Sequence, residues 1–384
     1  MRFIDKFKSW KGKKVIIRVD FNVPIEKGDI LGEMWRVESS IPTIKFLLDQ
    51  EVSRIVFLTH IGRPKGKVVD ALSTKHLIYT LNKLLGEKVA FVNGFNIKNL
   101  RNRIILLENL RFHIEEKENN ENFAKKLAKL GDIYVNDAFS VSHRAHASID
   151  AITKFLPCFG GFEMKREIQV LTGAYNNLIS PLSVIIGGIK VGTKLKIIEH
   201  FLKKGASVIV GGALANTLLH IKGIAIGSSV IDKKVIENLK DCGINLTSNN
   251  LHLPVDAKIK TKTGKIKISA IGKINKGDMI LDIGPDTNEL FANVLKNSKM
   301  IIWNGPMGKF EERDFEQGTK SIANNILKSK AKTIIGGGDT LAFLEQKKML
   351  KKESFYHIST GGGAMLEFLA GNDLPGIKAL EAHS

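Results

Sequence analysis

In the first half of this chain, basic side chains recur where apolar runs give way to polar ones. They are Arg36, His60 and Arg63 in THIGRP, Arg111 in LENLRF, and Arg144 in SHRAHAS. Guanidinium forks pair bidentately with carboxylate and phosphate, so a converging set of such groups holds a small polyanion. RVDFNVP, residues 18–24, ends another apolar run with Asp20 and Asn22, short polar side chains suited to recognising hydroxyl or amide groups at a sheet rim. His143 and His146 flank Arg144 and are read as packing or network residues.

The second half is marked instead by glycine. IGGIKVGTK (186–194), VGGALANT (210–217), IGGGDT (335–340) and STGGGA (359–364) each join an apolar run to a stretch of helical period. At such junctions the unpaired N–H groups and the helix dipole can hold phosphate oxygens. None is a Walker A motif, and there is no GxGxxG with a downstream acid, so any nucleotide site is of another design. Lys190 and Lys194 stand four apart at a helix start, hence on one face. Asp339, after three glycines, suits Mg²⁺, which takes one or two carboxylates together with phosphate oxygens and water.

These residues need a frame. Short β-branched runs at 14–19 and 54–58, with a helical-period segment at 37–50 between them, imply parallel βαβ units. The alternation resumes at 182–186, 207–210, 300–303, 333–335 and 356–359. Both halves therefore read as doubly wound α/β, and ligands bind such sheets outside the carboxyl ends of the strands. A chain of 384 residues exceeds a single core. The boundary is expected between residues 157 and 180, with 163–171 as a helical connector.

The motifs, in this order and over nearly the whole chain, resemble those of the phosphoglycerate kinase family. RVDFNVP, HIGRP, LLENLRF, YVNDAF and HRAHAS look like its acid-binding half, and GGIKVGTK, DIGP, WNGPMGKFE, GGGDT and STGGGA like its nucleotide half. The resemblance implies two Rossmann-like parallel-sheet domains joined by a hinge helix. Residues 1–162 would bind 3-phosphoglycerate, 163–179 form the hinge, 180–370 bind Mg-nucleotide, and 371–384 return to the first domain. It implies reversible phosphoryl transfer between ATP and the carboxylate of 3-phosphoglycerate. Asp20, Phe21, Asn22, Arg36, His60, Ile61, Gly62, Arg63, Arg111 and Arg144 would hold the acid. Lys190, Lys194, Gly211, Asn304, Pro306, Glu311, Gly337, Gly338, Asp339 and Thr340 would hold the nucleotide, with Asp339 on Mg²⁺. Arg36, Lys190, Gly338 and Gly361 would face the group in flight. A carboxylate acceptor has no proton to lose, so the lack of a nucleophile motif agrees with this chemistry. Ser140 stands where the family usually has Gly, and LGEMWR before Val37 departs from its usual loop.

Bulk properties narrow the alternatives. Net charge is +19, from 58 Lys and Arg against 39 Asp and Glu. Such a field attracts phosphate esters and nucleic acid alike. However, the arginines lie in separate strand-end motifs, and the Lys-rich stretches 258–267 and 347–352 lack interleaved aromatics and read as solvated surface. A dehydrogenase on the same sheet would need the missing glycine fingerprint. Two cysteines without metal spacing, and an N-terminus unlike a secretory signal, indicate a cytoplasmic protein. It is expected to act as a monomer on small molecules, without membrane or nucleic-acid partners.

Overall fold

Apolar β-branched runs form the strands of two six-stranded sheets in which every neighbouring pair is parallel. The computed structural model describes residues 1–189, 192–233, 236 and 245–383. The chain divides into one unit of residues 1–173 with 363–384 and a second of residues 174–362. The first division lies between residues 173 and 174, and the return to the first unit begins at residue 363. Among the described residues no helix is long and apolar enough to cross a membrane.

In the first unit the strands run, edge to edge, Val89–Val92, Ile104–Leu107, Arg54–Leu58, Lys14–Arg18, Ile133–Asn136 and Cys158–Gly160. Helices on both faces bury these strands, so they read as continuous apolar runs rather than as alternating ones. Val15, Ile17, Ile55, Phe57, Leu106 and Val135 anchor the core. From Lys14–Arg18 the chain first winds to one side and later returns on the other, which makes a switch point between that strand and Ile133–Asn136. Arg18 lies opposite both Leu58 and Asn136. The segments beginning at residues 19, 59 and 137 therefore leave the sheet at one edge, and they carry the predicted acid-binding motifs.

The second unit repeats the plan with Leu251–His252, Ser207–Val210, Leu182–Ile186, Met300–Asn304, Lys332–Gly336 and His357–Ser359. Its switch point falls between Leu182–Ile186 and Met300–Asn304. One element was not foreseen: an antiparallel sheet of Ile266–Ala270, Asp256–Lys260 and Met279–Ile283. Part of it lies in a Lys-rich stretch read as solvated surface. Its lysines alternate with Ile259, Ile266 and Ile268, a period-two pattern, and Ile259 is fully buried with Ala257 and Ile274.

Both crossings between units fall in helices, Phe162–Asn176 and Gly362–Leu369. Buried Asp137 positions the first. Its Oδ1 accepts from Glu163 N at 2.9 Å, and a Cβ on Gly161 would lie 2.1 Å from that oxygen. Only glycine lets the helix start approach the carboxyl so closely.

Burial pushes the Asp137 pKa up to about 7, against an ordinary 3.8. The folded state thus binds this proton more tightly than the unfolded chain does. The associated stability is complete below the unfolded value and is lost as pH rises through about 7. Asp137→Asn retains an acceptor oxygen without a charge. Urea unfolding should therefore show wild type losing on the order of a few kcal/mol more than the variant between about pH 5 and about pH 8. Equal losses would contradict the assignment of a buried neutral carboxyl.

Candidate functional site

Loops at the switch point of the first sheet are tied to one another before any ligand arrives. Asn22 Oδ1 accepts from Gly62 N at 2.7 Å, and Arg111 Nη1 donates to Gly62 O at 2.8 Å. Asn109 Nδ2 donates to Ile61 O at 2.7 Å, and its side-chain oxygen accepts from Arg111 N at 3.0 Å. Asp20 accepts from Arg36 Nη1 at 3.0 Å and from Ser140 Oγ at 2.6 Å. Arg144 Nε lies 3.0 Å from His143 Nε2. Phe21 and Ile61, predicted to touch the acid, have side chains buried in the core. Arg63 is exposed.

Carboxylates do not offset all the charge gathered here. Burial first, then Arg18 and Arg144, lower the Arg111 pKa to about 10. Arg144 is lowered by burial and by Arg63. Burial, then Arg111 and Arg18, drives His60 well below its ordinary value, and the same causes take His146 to about 3. Both imidazoles are consequently neutral at pH 7. A polyanion bound beside these cations would relieve their repulsion.

Sequence reasoning passed over a buried layer beneath these groups. Arg18 is fully buried, with Nε donating to Ser148 Oγ at 2.9 Å and Nη2 lying 3.0 Å from His60 Nδ1. A guanidinium only donates, so Nδ1 accepts and the proton of the neutral ring sits on Nε2. Ser148 Oγ passes the chain on to the buried Glu116 carboxylate at 2.6 Å, and Ser148 O accepts from Tyr134 Oη at 2.6 Å. The signal was a lone Arg inside the apolar run KVIIRV, where a buried cation requires partners.

In the second unit the strand-end turns pack backbone against backbone. Gly187 N donates to Asn304 O and Gly188 N to Pro306 O. A Cβ on Gly187 would meet Pro306 O at 2.0 Å, and one on Gly211 would meet Met307 Sδ at 2.5 Å. Steric need therefore accounts for part of the glycine pattern. Asn304 Nδ2 donates to Gly336 O and Gly362 O, Thr340 Oγ1 accepts from Gly305 N, and Gly361 N donates to Ser359 Oγ. These predicted site residues brace the turns.

Beside the turns lies a cavity of about 270 Å³. Pro306, Glu311 and Asp339 of the predicted nucleotide set line it. Its apolar wall includes Leu219 and, from the unforeseen sheet, Met279 and Leu281, which no motif had marked. Such a wall with a few polar groups at its edge suits a flat ring carrying a charged tail. Lys194 Nζ donates to Gly187 O at 2.6 Å. Gly337, with φ 102°, caps helix Gly338–Gln346, whose first turn holds Asp339. Lys190 lies outside the described residues. Among the described residues no three His, Cys, Asp or Glu side chains gather as a metal cluster. Cys158 is buried and free, and burial raises its pKa to about 11; Cys242 lies outside the described residues.

Comparison with known proteins covers both units. The family profile described as phosphoglycerate kinase matches residues 4–372. A phosphoglycerate kinase of Clostridium kluyveri is 40% identical over 391 residues, spanning 96% of each chain. One from Leptospira biflexa is 41% identical over 388 residues, again spanning 96% of each. The solved phosphoglycerate kinase of Pyrococcus horikoshii superposes with a TM-score of 0.82 at 32% identity, covering 99% of this chain and 98% of its own. That of Coxiella burnetii gives 0.78 at 35%, covering 99% of each.

The electrostatics can be tested without reference to relatives. Arg144→Met removes one of the mutually repelling cations. The unliganded thermal midpoint should hold or rise, while inorganic phosphate should bind about tenfold more weakly, as fits one lost charge-assisted contact. Equal phosphate stabilisation of both proteins in a thermal-shift titration would count against a shared anion site.

Proposed function

We propose how individual residues carry out phosphoryl transfer in this chain, which belongs to the phosphoglycerate kinase family. It is an enzyme that exchanges a phosphoryl group between ATP and the carboxylate of 3-phosphoglycerate, the ATP-generating step of glycolysis. The observation that supports the assignment most directly is the cluster of mutually repelling cations at the switch point of the first sheet. In this reading Arg63, Arg111 and Arg144 take the phosphate ester and carboxylate of the acid. His60 donates through Nε2 as a neutral group. Asp20 and Asn22 orient the hydroxyl and the loops around it.

The apolar cavity of the second unit takes the base, with Glu311 at its edge suited to ribose hydroxyls. Lys194 and the N–H groups near Gly337 and Gly338 serve the phosphates. Asp339 would hold Mg²⁺, because it is exposed at a helix start on the cavity wall and such an ion takes one or two carboxylates together with phosphate oxygens and water. The ion would neutralise charge on the phosphate chain when bound. Arg36, Lys190, Gly338 and Gly361 are assigned to the moment of transfer, which requires the two ligands to meet in line. Hinge motion through the linking helices would bring them together and keep water out. We take the enzyme to be cytoplasmic and monomeric, acting on small molecules alone.

A coupled assay for ADP formation tests the whole reading, which expects turnover to need ATP, 3-phosphoglycerate and Mg²⁺ together. Arg36→Ala should lower kcat by roughly 10²–10³ and leave the nucleotide Kd within about twofold, as expected for a group that stabilises charge in transfer. A wild-type kcat in that variant would remove Arg36 from the mechanism. Asp339→Asn should raise the Mg²⁺ concentration for half-maximal rate about tenfold or more. No change would place the ion elsewhere.

A further inference from the structure

Three elements of the second unit meet at one buried carboxyl. Asp282 lies in strand Met279–Ile283, is 1% exposed, and belongs to the cavity wall. Its Oδ2 accepts from Gly318 N at 2.8 Å, in the first turn of helix Gln317–Lys328, and its Oδ1 accepts from Ile283 N at 2.9 Å. The loop after strand Met300–Asn304 closes over the same group. A Cβ on Gly308 would lie 2.3 Å from Oδ1, and one on Gly318 would meet that oxygen at the same distance. Glycine at both positions lets loop and helix seat directly on the carboxyl.

That loop is tied to both of the other elements. Lys309 N donates to Leu281 O at 2.8 Å, and Met307 N donates to Thr319 Oγ1 at 3.0 Å. Glu311, two residues beyond Lys309, is exposed at the cavity edge, so a shift at Gly308 is carried to it. Burial pushes the Asp282 pKa up to about 7, against the Gly318 and Ile283 N–H groups and the Lys258 cation, which favour the charge. Lys258 stands opposite on the neighbouring strand, where the Asp256 carboxylate is held by Thr287. Lys309 and Glu311 belong to the loop, and Glu316 and Lys320 flank the helix start. Ionised, the carboxyl offers an acceptor at both oxygens; protonated, one of them becomes a donor and no longer matches the N–H groups around it.

Resting on the reading that the cavity takes the nucleoside and Glu311 its ribose, we propose that Asp282 is a positioning residue for nucleotide binding. Its ionised carboxylate holds Gly308 and the start of helix Gln317–Lys328 together, and through that loop sets Glu311 against the ribose hydroxyls. Nucleotide binding therefore favours the ionised form, and this contribution to affinity grows as pH rises through about 7.

The test is calorimetric titration of ADP into the full-length protein, with 3-phosphoglycerate as the control ligand. Asp282→Asn has one acceptor and one donor, like the protonated acid. At about pH 8 it should bind ADP roughly three- to tenfold more weakly than wild type and 3-phosphoglycerate within about twofold, as fits one lost charge-assisted contact. At about pH 6 the two proteins should bind ADP within about twofold of each other, and comparing them cancels the titration of ADP itself. Gly308→Ala, which lifts the loop from an intact carboxyl, should weaken ADP at both pH values. Combined with Glu311→Gln, Asp282→Asn should cost less than it does alone, because the two act through one contact. Strictly additive losses, or a wild-type advantage that does not change with pH, would overturn the proposal. Glu311→Gln tests the premise separately: wild-type ADP affinity in that variant would remove Glu311 from the nucleotide site, whatever Asp282 does.

Discussion

Several guanidinium groups at one sheet edge, with too few carboxylates to neutralise them, form an arrangement that opposes itself. Arg111 and Arg144 each hold their charge less firmly because of burial first and then because of the cations around them. The unliganded protein keeps them together because their stems are fixed to a parallel sheet and its loops, which do not rearrange to separate them. Much else in the first unit serves that constraint. The Arg18–Ser148–Glu116 chain gives a fully buried cation its partners, and the Asn22, Gly62 and Asn109 bonds fix the loops from which the exposed groups project.

The second unit solves a different problem with the same topology. A nucleotide presents a flat apolar ring and a chain of phosphates, so its site needs a cavity wall and a set of N–H donors more than it needs cations. Turns at the carboxyl ends of the strands approach so closely that Gly187 and Gly211 admit no side chain. The wall is completed by an antiparallel sheet outside the doubly wound core. In the proposed reading, charge recognises the acid in the first unit and shape recognises the nucleotide in the second. That division suits a reaction whose acceptor is a small anion and whose donor is a large amphipathic one.

How legible this was varies by residue. Strands Arg54–Leu58, Leu182–Ile186 and Ser207–Val210 matched the sequence reading to the residue, because a strand buried on both faces is apolar along most of its length. The strand Asp256–Lys260 was not legible because its lysines reach solvent while Ala257 and Ile259 between them are buried, so charge masks the apolar alternation. The two departures from the family pattern, at Ser140 and in the loop before Val37, looked unrelated in sequence. They meet at Arg36: Ser140 bonds the carboxylate that Arg36 pairs with, and Glu33 supplies the second one.

By itself the sequence determined the fold class and the chemical kind of both ligands. Those follow from local properties: hydrophobic period, the donor chemistry of arginine, and glycine where strands become helices. Only the tertiary structure decided which cations feel one another, that His60 and His146 are neutral, that Phe21 and Ile61 belong to the core, and that Arg36 is held by two carboxylates. Each depends on distance and burial between residues far apart in the chain. Electrostatic energy falls with separation in space and rises with exclusion of water, and neither quantity is written in the order of the residues.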